Sequence, residues 1–314
     1  MSDLFRSPPG HANDDRAFAG WRVRSAVPLP DLPPWRGDGR EPDLVIELGP
    51  VPGRLPDPVV ERPLLQIGAD GVCRFEIKGV AAWLISADGR NVVTAVAGEP
   101  DWSEVRTFLL GTVIGIVCMR RGRLPLHACC VELGGRAAAI CGPSGAGKST
   151  LAALLMRRGF RMLADDLTVV DTGGRDGPLA MPTFPRVKLW QDSLKRLSLP
   201  SEGLEAVRRD LDKFNQPVAE TFCFEPRPLK RLLFLDPDAL GKDERWRRLA
   251  PMEGLRRMGM ALYRRQLTNR LGLETSASAQ FLAVLSGADG IFAIRRPETE
   301  TALDGLVSLL EGEE

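Results

Sequence analysis

Residues 142–149 read GPSGAGKS and have the composition of a loop that holds the phosphate chain of a nucleotide. The pattern G-x-x-x-x-G-K-[ST] lies between a predicted strand, AAAIC, and a predicted helix, TLAALLMRR. Glycines let the backbone curl until successive N–H groups face an anion, and the helix N-terminus adds a partial positive charge. The residues predicted to bind the phosphates are Gly142, Pro143, Ser144, Gly145, Ala146, Gly147, Lys148, Ser149 and Thr150.

Two adjacent carboxylates, Asp165 and Asp166, follow this loop closely. Asp165 comes 17 residues after Lys148, a gap that one helix, a turn at Gly159 and the strand FRMLA can fill. Such a β-α-β step makes both strands parallel, and their carboxyl ends then share the sheet edge where ligands bind. Phosphoryl transfer needs charge neutralisation and a group that accepts the proton of the attacking hydroxyl. The pair therefore predicts a phosphotransferase, against the alternative that one acid caps a turn and the other is on the surface.

The elements that precede the loop are predicted to form a separate domain. Residues 21–100 contain short β-like runs with Asp-Gly turns at 70–71 and 88–89, which are typical of hairpins. This composition predicts a small β-rich N-terminal domain behind a mobile segment, residues 1–20. An apolar helix over residues 101–122, capped by Asp101 or Ser103, is predicted to connect this domain to the next.

From residue 123 to 314, predicted strands and helices alternate, which indicates an α/β domain. RLLFLDP and IFAIRRP are predicted to be buried strands of this domain. Its later helices are expected near residues 252–270, 276–286 and 298–311.

The composition argues against several classes of partner. The 42 lysines and arginines nearly cancel the 41 aspartates and glutamates, so we expect neither a nucleic acid nor a membrane as partner. The six cysteines have no C-x-x-C or zinc spacing, which favours reduced thiols in the cytoplasm. No signal-peptide pattern is expected at the N-terminus. The longest apolar run, FLLGTVIGIVCM, has 12 residues, against about 20 for a bilayer span, and predicts a buried helix.

Residues 126–170 resemble the catalytic core of HPr kinase/phosphorylase and its relatives. The resemblance lies in a histidine ahead of a β-hairpin, the phosphate loop, a helix ending in RGFR, and the triplet A-D-D. It implies a P-loop, HPr-kinase-like/PEP-carboxykinase-like fold for the C-terminal domain. It also implies these roles: His127 belongs to the active site, Lys148 binds and polarises the phosphate, Ser149 binds Mg²⁺, Asp165 is the general base, and Asp166 supports the metal or Lys148.

Two later motifs of that family, an E-[IV]-R-G-[LI]-G-like segment and a P-V-R-P-G-R-N-like segment, are missing. The resemblance therefore supports neither a reverse phosphorylase activity nor HPr as the acceptor. The layout instead resembles the HPr-kinase-related proteins of ribosomal-peptide systems, in which lasso-peptide kinases phosphorylate a precursor peptide on serine. Arg186, Lys188 and Lys213 are candidates to contact the γ-phosphate or the acceptor, against the alternative that they are solvated. Trp190 beside them is expected in the core.

The resulting expectation is a cytoplasmic kinase that uses ATP and Mg²⁺ to phosphorylate a serine of a peptide or small protein, with a homo-oligomer as a further expectation. Two alternatives remain open. A small-molecule P-loop kinase could use residues 256–270, RRMGMALYRRQLTNR, as a lid. The other alternative is a non-kinase ATPase or a regulatory nucleotide-binding module. A GTPase is disfavoured because the sequence has no N-K-x-D motif.

Overall fold

The structure, a computed structural model, describes residues 15–96, 98–207 and 211–312. The chain divides into two compact units. The first comprises the residues up to Arg123 together with Gln266–Glu274, and the second comprises Leu124–Arg265 and the residues from Thr275 onwards. The helix predicted to connect two domains therefore belongs to the first unit.

The first unit contains an eight-stranded mixed sheet. Its strands are β1 Arg16–Phe18, β2 Trp21–Ser25, β3 Leu44–Leu48, β4 Pro58–Arg62, β5 Leu65–Gly68, β6 Cys73–Ile77, β7 Ala81–Ile85 and β8 Asn91–Val96. Their order is β1-β2-β3-β8-β7-β6-β5-β4, and only the β2–β3 and β3–β8 pairs of this described sheet are parallel. Gly71 and Gly89 have φ values of 84° and 67°, as the predicted hairpin turns require.

The segment predicted to be mobile, residues 1–20, is partly structured. Residues 1–14 lie outside the described residues, whereas β1 pairs with β2 from Arg16 onwards. Arg22 and Arg24 form ion pairs with Asp15, and these contacts hold the start of β1 against its neighbour.

One apolar helical segment follows β8 in the first unit. Helix α1, Trp102–Phe108, is followed by a π-helical turn, Leu109–Val113, and by α2, Ile114–Arg120. Asp101 caps the segment by accepting from the amides of Ser103 and Glu104, as predicted. Its 19 residues are long and apolar enough to cross a bilayer, but 61% of the most apolar window is buried in the protein. Core helices meet the same criteria, so the segment is weak evidence for a membrane span.

The second unit is built on a mixed sheet. The strands of this unit are β9 Leu124–Leu126, β10 Ala128–Leu133, β11 Arg136–Cys141, β12 Arg161–Ala164, β13 Thr168–Asp171, β14 Leu179–Met181, β15 Arg186–Trp190, β16 Glu205–Ala206, β17 Lys213–Pro217, β18 Arg227–Leu235, β19 Trp246–Arg248 and β20 Gly290–Ile294. The order in the large sheet is β12-β10-β11-β18-β14-β13-β9, and β20 lies between β18 and β19. Strands β15, β17 and β16 form a separate small sheet.

Helices cover both faces of the large sheet. They are α3 Lys148–Met156, α4 Gln191–Arg196, α5 Pro251–Ala261, α7 Glu274–Gly287 and α8 Glu300–Glu311, whereas α6 Arg265–Arg270 belongs almost entirely to the first unit. Strand β11 shows the two faces: Ala139 and Cys141 join the core cluster that contains Phe281 of α7, whereas Ile140 joins the cluster that contains Leu151 of α3. This alternation is what a strand buried on both faces requires, and it confirms a mixed α/β architecture.

The strand that leads into the phosphate loop and the strand that leads into the acid pair are parallel, but they are not neighbours. Strand β10 lies between β11 and β12 and is antiparallel to both. The direct parallel neighbour of β11 is β18, and β20 is parallel to β18. The carboxyl ends of β11, β12, β18 and β20 therefore share one edge of the sheet, as ligand sites in α/β sheets require.

The predicted helices of this unit form with different boundaries. The single helix expected near residues 252–270 is interrupted after Ala261, where Arg264 has a φ of 50°. Residues other than glycine rarely adopt this left-handed backbone conformation, and a right-handed α-helix cannot continue through it. Arg257 and Met258 of α5 are buried, so this helix packs into the core and is not a free lid.

Candidate active site

The phosphate loop connects the end of β11 to the first residue of α3. Gly145 and Gly147 have φ values of 83° and 95°, in the left-handed region that favours glycine. Gly147 directly precedes α3, and the first amide groups of a helix have no acceptor within that helix. The loop and the helix start therefore form the anion site that the sequence predicted.

The Lys148 side chain is folded back over its own loop. Its Nζ donates to the carbonyl oxygens of Gly142 at 2.9 Å and Pro143 at 3.0 Å, and it lies 3.0 Å from Nε2 of His127. These three partners match the three donors of an ammonium group. Lys148 is only 7% exposed, and burial lowers the pKa of its amino group.

His127 joins Lys148 to the acid pair. Because a lysine ammonium has no acceptor, Nε2 of His127 must accept from it, which assigns the ring proton to Nδ1. Nδ1 lies 3.2 Å from the carbonyl oxygen of Asp166 and 3.2 Å from its Oδ1. His127 can therefore accept from Lys148 and donate to Asp166 at the same time.

Asp166 is half-buried in the cleft beside the loop. The φ of Asp166 is 67°, a left-handed conformation that aspartate tolerates better than most residues. This backbone conformation gives the side chain of Asp166 a direction different from that of Asp165. Oδ2 accepts a hydrogen bond of 3.0 Å from Nζ of Lys188. Burial opposes ionisation of this carboxyl group, but the charge of Lys188 and the hydrogen bond from His127 outweigh it. The pKa of Asp166 consequently lies well below its ordinary value.

Asp165 has a different position, because its side chain is 3% exposed and points into the protein. Its Oδ1 accepts from the Ser149 hydroxyl at 2.7 Å and from the Cys129 thiol at 2.9 Å. Its Oδ2 accepts from the backbone N–H of Lys188 at 2.6 Å. The structure thus separates the two acids: Asp166 faces the solvent side, and Asp165 anchors the serine of the phosphate loop.

Cys129 is held as a neutral thiol beneath this pair. Burial and the neighbouring Asp165 carboxylate raise the pKa of Cys129 well above its ordinary value. The thiol therefore keeps its proton and donates a hydrogen bond to Asp165. Cys129 is the second residue of β10, and His127 immediately precedes that strand. The start of β10 thus contacts Asp165, and the residue before it contacts Lys148.

These groups meet in a cleft that is partly open to solvent. Its lining comprises His127, Ser144, Gly145, Gly147, Lys148, Ser149, Thr150, Asp166, Lys188, Trp190, Ser193, Lys213 and Arg296. Most of the residues predicted from sequence are therefore brought together. Gly142, Pro143 and Ala146 belong to the loop without lining the cleft, and Asp165 lies beneath it.

Arg186 is the predicted contact that the structure does not bring to the cleft. Its guanidinium packs 5.3 Å from the ring centre of Phe184. Lys188, two residues along the same strand, reaches Asp166 instead. Lys213 also lines the cleft, with its Nζ 5.6 Å from the ring centre of Trp190. Trp190 is 42% exposed, so the expectation that it belongs to the core is wrong.

Two lining residues were not predicted from the sequence. Ser193 contacts Thr150 through their hydroxyl oxygens, 2.8 Å apart. Arg296 follows β20, whose position beside β18 brings it to the loop from a distant part of the chain. The only local signal for Arg296 is a basic residue after a predicted buried strand, and that signal does not indicate which edge of the sheet it reaches.

The donor groups fit a magnesium ion that is shared with a nucleotide. Among the described residues, no group of three His, Cys, Asp or Glu side chains could hold a metal ion by itself. Mg²⁺ usually keeps several waters and binds one or two protein oxygens together with substrate phosphates. Ser149 and the carboxylates of Asp165 and Asp166 supply oxygens of that kind beside the phosphate loop.

Comparisons with known proteins add one structural similarity. No family model matches the chain, and no curated protein matches it in sequence. Among solved structures, the chain is similar to an Hpr(Ser) kinase/phosphatase from Coxiella burnetii, with 11% identical residues and a TM-score of 0.33. The match covers 60% of this chain and 95% of the other. A similarity at that TM-score carries no argument about activity, which must rest on the geometry of the cleft.

Proposed function

We propose that this protein is an ATP- and Mg²⁺-dependent kinase of the HPr-kinase-like type. It transfers the γ-phosphate to a serine hydroxyl of a peptide or small protein, and a ribosomal precursor peptide of the lasso type is the acceptor that the sequence resemblance suggests. The reaction takes place in the cytoplasm, without a nucleic acid or a membrane as partner. A homo-oligomeric assembly is a further part of the proposal.

One observation carries the proposal: the phosphate-loop lysine and a carboxylate of the same cleft are connected through a single imidazole. Lys148, His127 and Asp166 form a continuous chain of contacts of 3.0 Å and 3.2 Å. A carboxylate held beside the phosphate loop by a histidine and a lysine can orient an acceptor hydroxyl and take its proton, as a kinase requires.

The chain's own groups supply the steps of this transfer. Lys148 exchanges a loop carbonyl for a phosphate oxygen and stabilises the charge on the transferred group. The acceptor oxygen forms a bond to the γ-phosphorus while the bond between that phosphorus and the bridging oxygen of ADP breaks. The hydroxyl proton goes to Asp166, the carboxylate that lines the cleft beside the phosphate loop. Bound Mg²⁺ would neutralise phosphate charge, with Ser149 among its ligands and Asp165 orienting that serine.

The structure changes how the two acids share these roles. Sequence resemblance implied Asp165 as the base and Asp166 as the supporting residue. Both acids have a partner at each carboxylate oxygen, but Asp165 is buried beneath the cleft, whereas Asp166 lines it. We therefore assign the base to Asp166 and the support of Ser149 to Asp165.

The proposal is tested with ATP radiolabelled at the γ-phosphate, Mg²⁺ and a library of serine-containing peptides. The matched control is the same library with alanine in place of each serine. Label on the serine library alone supports the proposal. Label on small metabolites from a lysate would instead establish a small-molecule kinase, and release of free phosphate alone would establish an ATPase. Loss of every signal in Asp166→Asn assigns the activity to this cleft.

A further inference from the structure

Arg296 lies directly over the phosphate loop. A Cβ atom placed on Gly147 would be 2.9 Å from Cδ and 3.0 Å from a terminal guanidinium nitrogen of Arg296. The absence of a side chain at Gly147 is therefore what allows the arginine to approach the loop backbone. Because Gly147 directly precedes α3, the guanidinium stands beside the helix N-terminus, where phosphate groups bind.

The sheet topology explains how a residue so distant in sequence reaches this place. Cys141, the last residue of β11, pairs with Phe234 of β18, which in turn pairs with Ala293 of β20. The three strands are parallel, so the chain leaves β20 at the same edge as the phosphate loop. Arg296 is the second residue after the end of β20.

The two arginines at this position have different surroundings. Arg295 is exposed and donates to the carbonyl oxygens of Glu244 and Gly241, at 3.4 Å and 3.2 Å. Within residues 15–96, 98–207 and 211–312, Arg296 has no hydrogen bond or ion pair, although it is half-buried and lines the cleft. A guanidinium that is held against a phosphate loop without a protein acceptor has its donors available for a ligand.

The charge of the cleft indicates what that ligand is. Lys148, Lys188 and Lys213 line it together with Arg296, against the single lining carboxylate of Asp166. Lys188 is already paired with Asp166. An excess of cations around a glycine-rich loop suits a chain of several phosphates, and a guanidinium can contact two phosphate oxygens at once.

We infer that Arg296 binds the phosphate chain of the nucleotide, as a phosphate-contacting residue supplied by β20 in addition to the loop and Lys148. This inference rests on the proposed nucleotide binding at the loop. It assigns Arg296 to the phosphates and not to the base or the ribose. It also gives Gly147 a second function, which is to leave space for the arginine.

The test compares wild type, Arg296→Gln and Arg295→Gln, each checked for an unchanged melting temperature. Calorimetry measures binding of Mg·ATP, Mg·tripolyphosphate and adenosine. Loss of a charge-assisted contact is expected to weaken binding of both phosphate ligands in Arg296→Gln by about tenfold to a hundredfold. Arg295→Gln should bind both within about twofold of wild type, since its contacts lie outside the cleft. Arg296→Lys should recover part of the affinity, because it restores the charge without the planar fork.

Different failures are distinguishable. If wild type binds neither Mg·ATP nor Mg·tripolyphosphate, the proposed function is wrong and the inference falls with it. If wild type binds both and Arg296→Gln binds them equally well, the inference is wrong while the proposed function stands. If Arg296→Gln loses affinity for Mg·ATP but not for Mg·tripolyphosphate, Arg296 contacts the nucleoside and the assignment to the phosphates is wrong.

Discussion

The hydroxyl of Ser149 donates a hydrogen bond of 2.7 Å to Oδ1 of Asp165. This contact ties the first turn of α3 to the residue that follows β12. The strands that lead to these two positions, β11 and β12, are separated in the sheet by β10. Asp165, the acid nearer to the loop in sequence, therefore holds Ser149 of the loop. The second acid, Asp166, lines the cleft.

Asparagine substitutions should separate the two acids. Asp166→Asn is expected to bind Mg·ATP normally and to transfer phosphate about 10²–10⁴ times more slowly, because it removes the proton acceptor. Single-turnover transfer and calorimetric binding are the two measurements. Equal binding with a wild-type rate would remove Asp166 from the chemistry.

Asp165→Asn should act on the structure of the site. An amide can retain the hydrogen bonds to only part of its present donors, so we expect a loss of about 1–3 kcal/mol in unfolding free energy. We also expect the Mg²⁺ concentration that gives half-maximal activity to rise, since Ser149 loses its orienting acceptor. Denaturant unfolding and a Mg²⁺ titration measure these effects. A variant with unchanged stability and unchanged Mg²⁺ dependence, but with no transfer, would return the base to Asp165.

Lys148→Met should weaken both ATP binding and transfer, because the loop loses the only side-chain cation that belongs to its sequence motif. The folded protein should persist, since methionine occupies a similar volume in this buried position. Lys195→Met is the matched control, as Lys195 is exposed on α4 and does not line the cleft. If the two variants bind ATP equally well, the loop is not the phosphate site.

The low pKa of Asp166 predicts a specific dependence of stability on pH. A carboxylate with a depressed pKa in the folded state contributes stability above its unfolded pKa of about 3.9, and this contribution disappears as the pH falls through the folded value. The difference in unfolding free energy between wild type and Asp166→Asn should therefore be constant from about pH 8 to pH 5. Below about pH 4 it should shift against the wild type. Thermal unfolding at a series of pH values measures it, and a difference that stays constant down to the acid limit would contradict the prediction.

The cysteines should be unreactive in the native protein. All six are free and buried, and burial raises the pKa values of Cys118 and Cys141 to about 12. Because the thiolate is the reactive form, a disulfide reagent such as DTNB should modify none of them rapidly at pH 8 and all six after denaturation. A stoichiometric fast phase in the native state would mean that at least one thiol is exposed.

The part of the site that could be predicted from sequence is the part whose geometry is local. The loop conformation depends on Gly145, Gly147 and the residues between them, and the motif fixes all of these. The direction of the strand before Asp165 also follows from one helix and one turn. Both features require only contacts between residues that are near each other in the chain.

The different positions of Asp165 and Asp166 could not be predicted, because they depend on a left-handed backbone at Asp166 and on the amide of Lys188. Arg296 was missed for a related reason. Its place depends on the order of β11, β18 and β20, which no local pattern encodes. Trp190 was misassigned because a single strand of alternating burial does not reveal which face a ligand cleft will leave open.

His127 precedes β10, whereas Cys129 is the second residue of that strand, which is hydrogen-bonded to neighbours on both flanks. The backbone N–H of His127 donates to the carbonyl oxygen of Ala261, the last residue of α5, at 2.7 Å. The residue that contacts Lys148 is therefore tied to a helix and the residue that contacts Asp165 is tied to the sheet, so a displacement of α5 would move His127 while Cys129 stays in place.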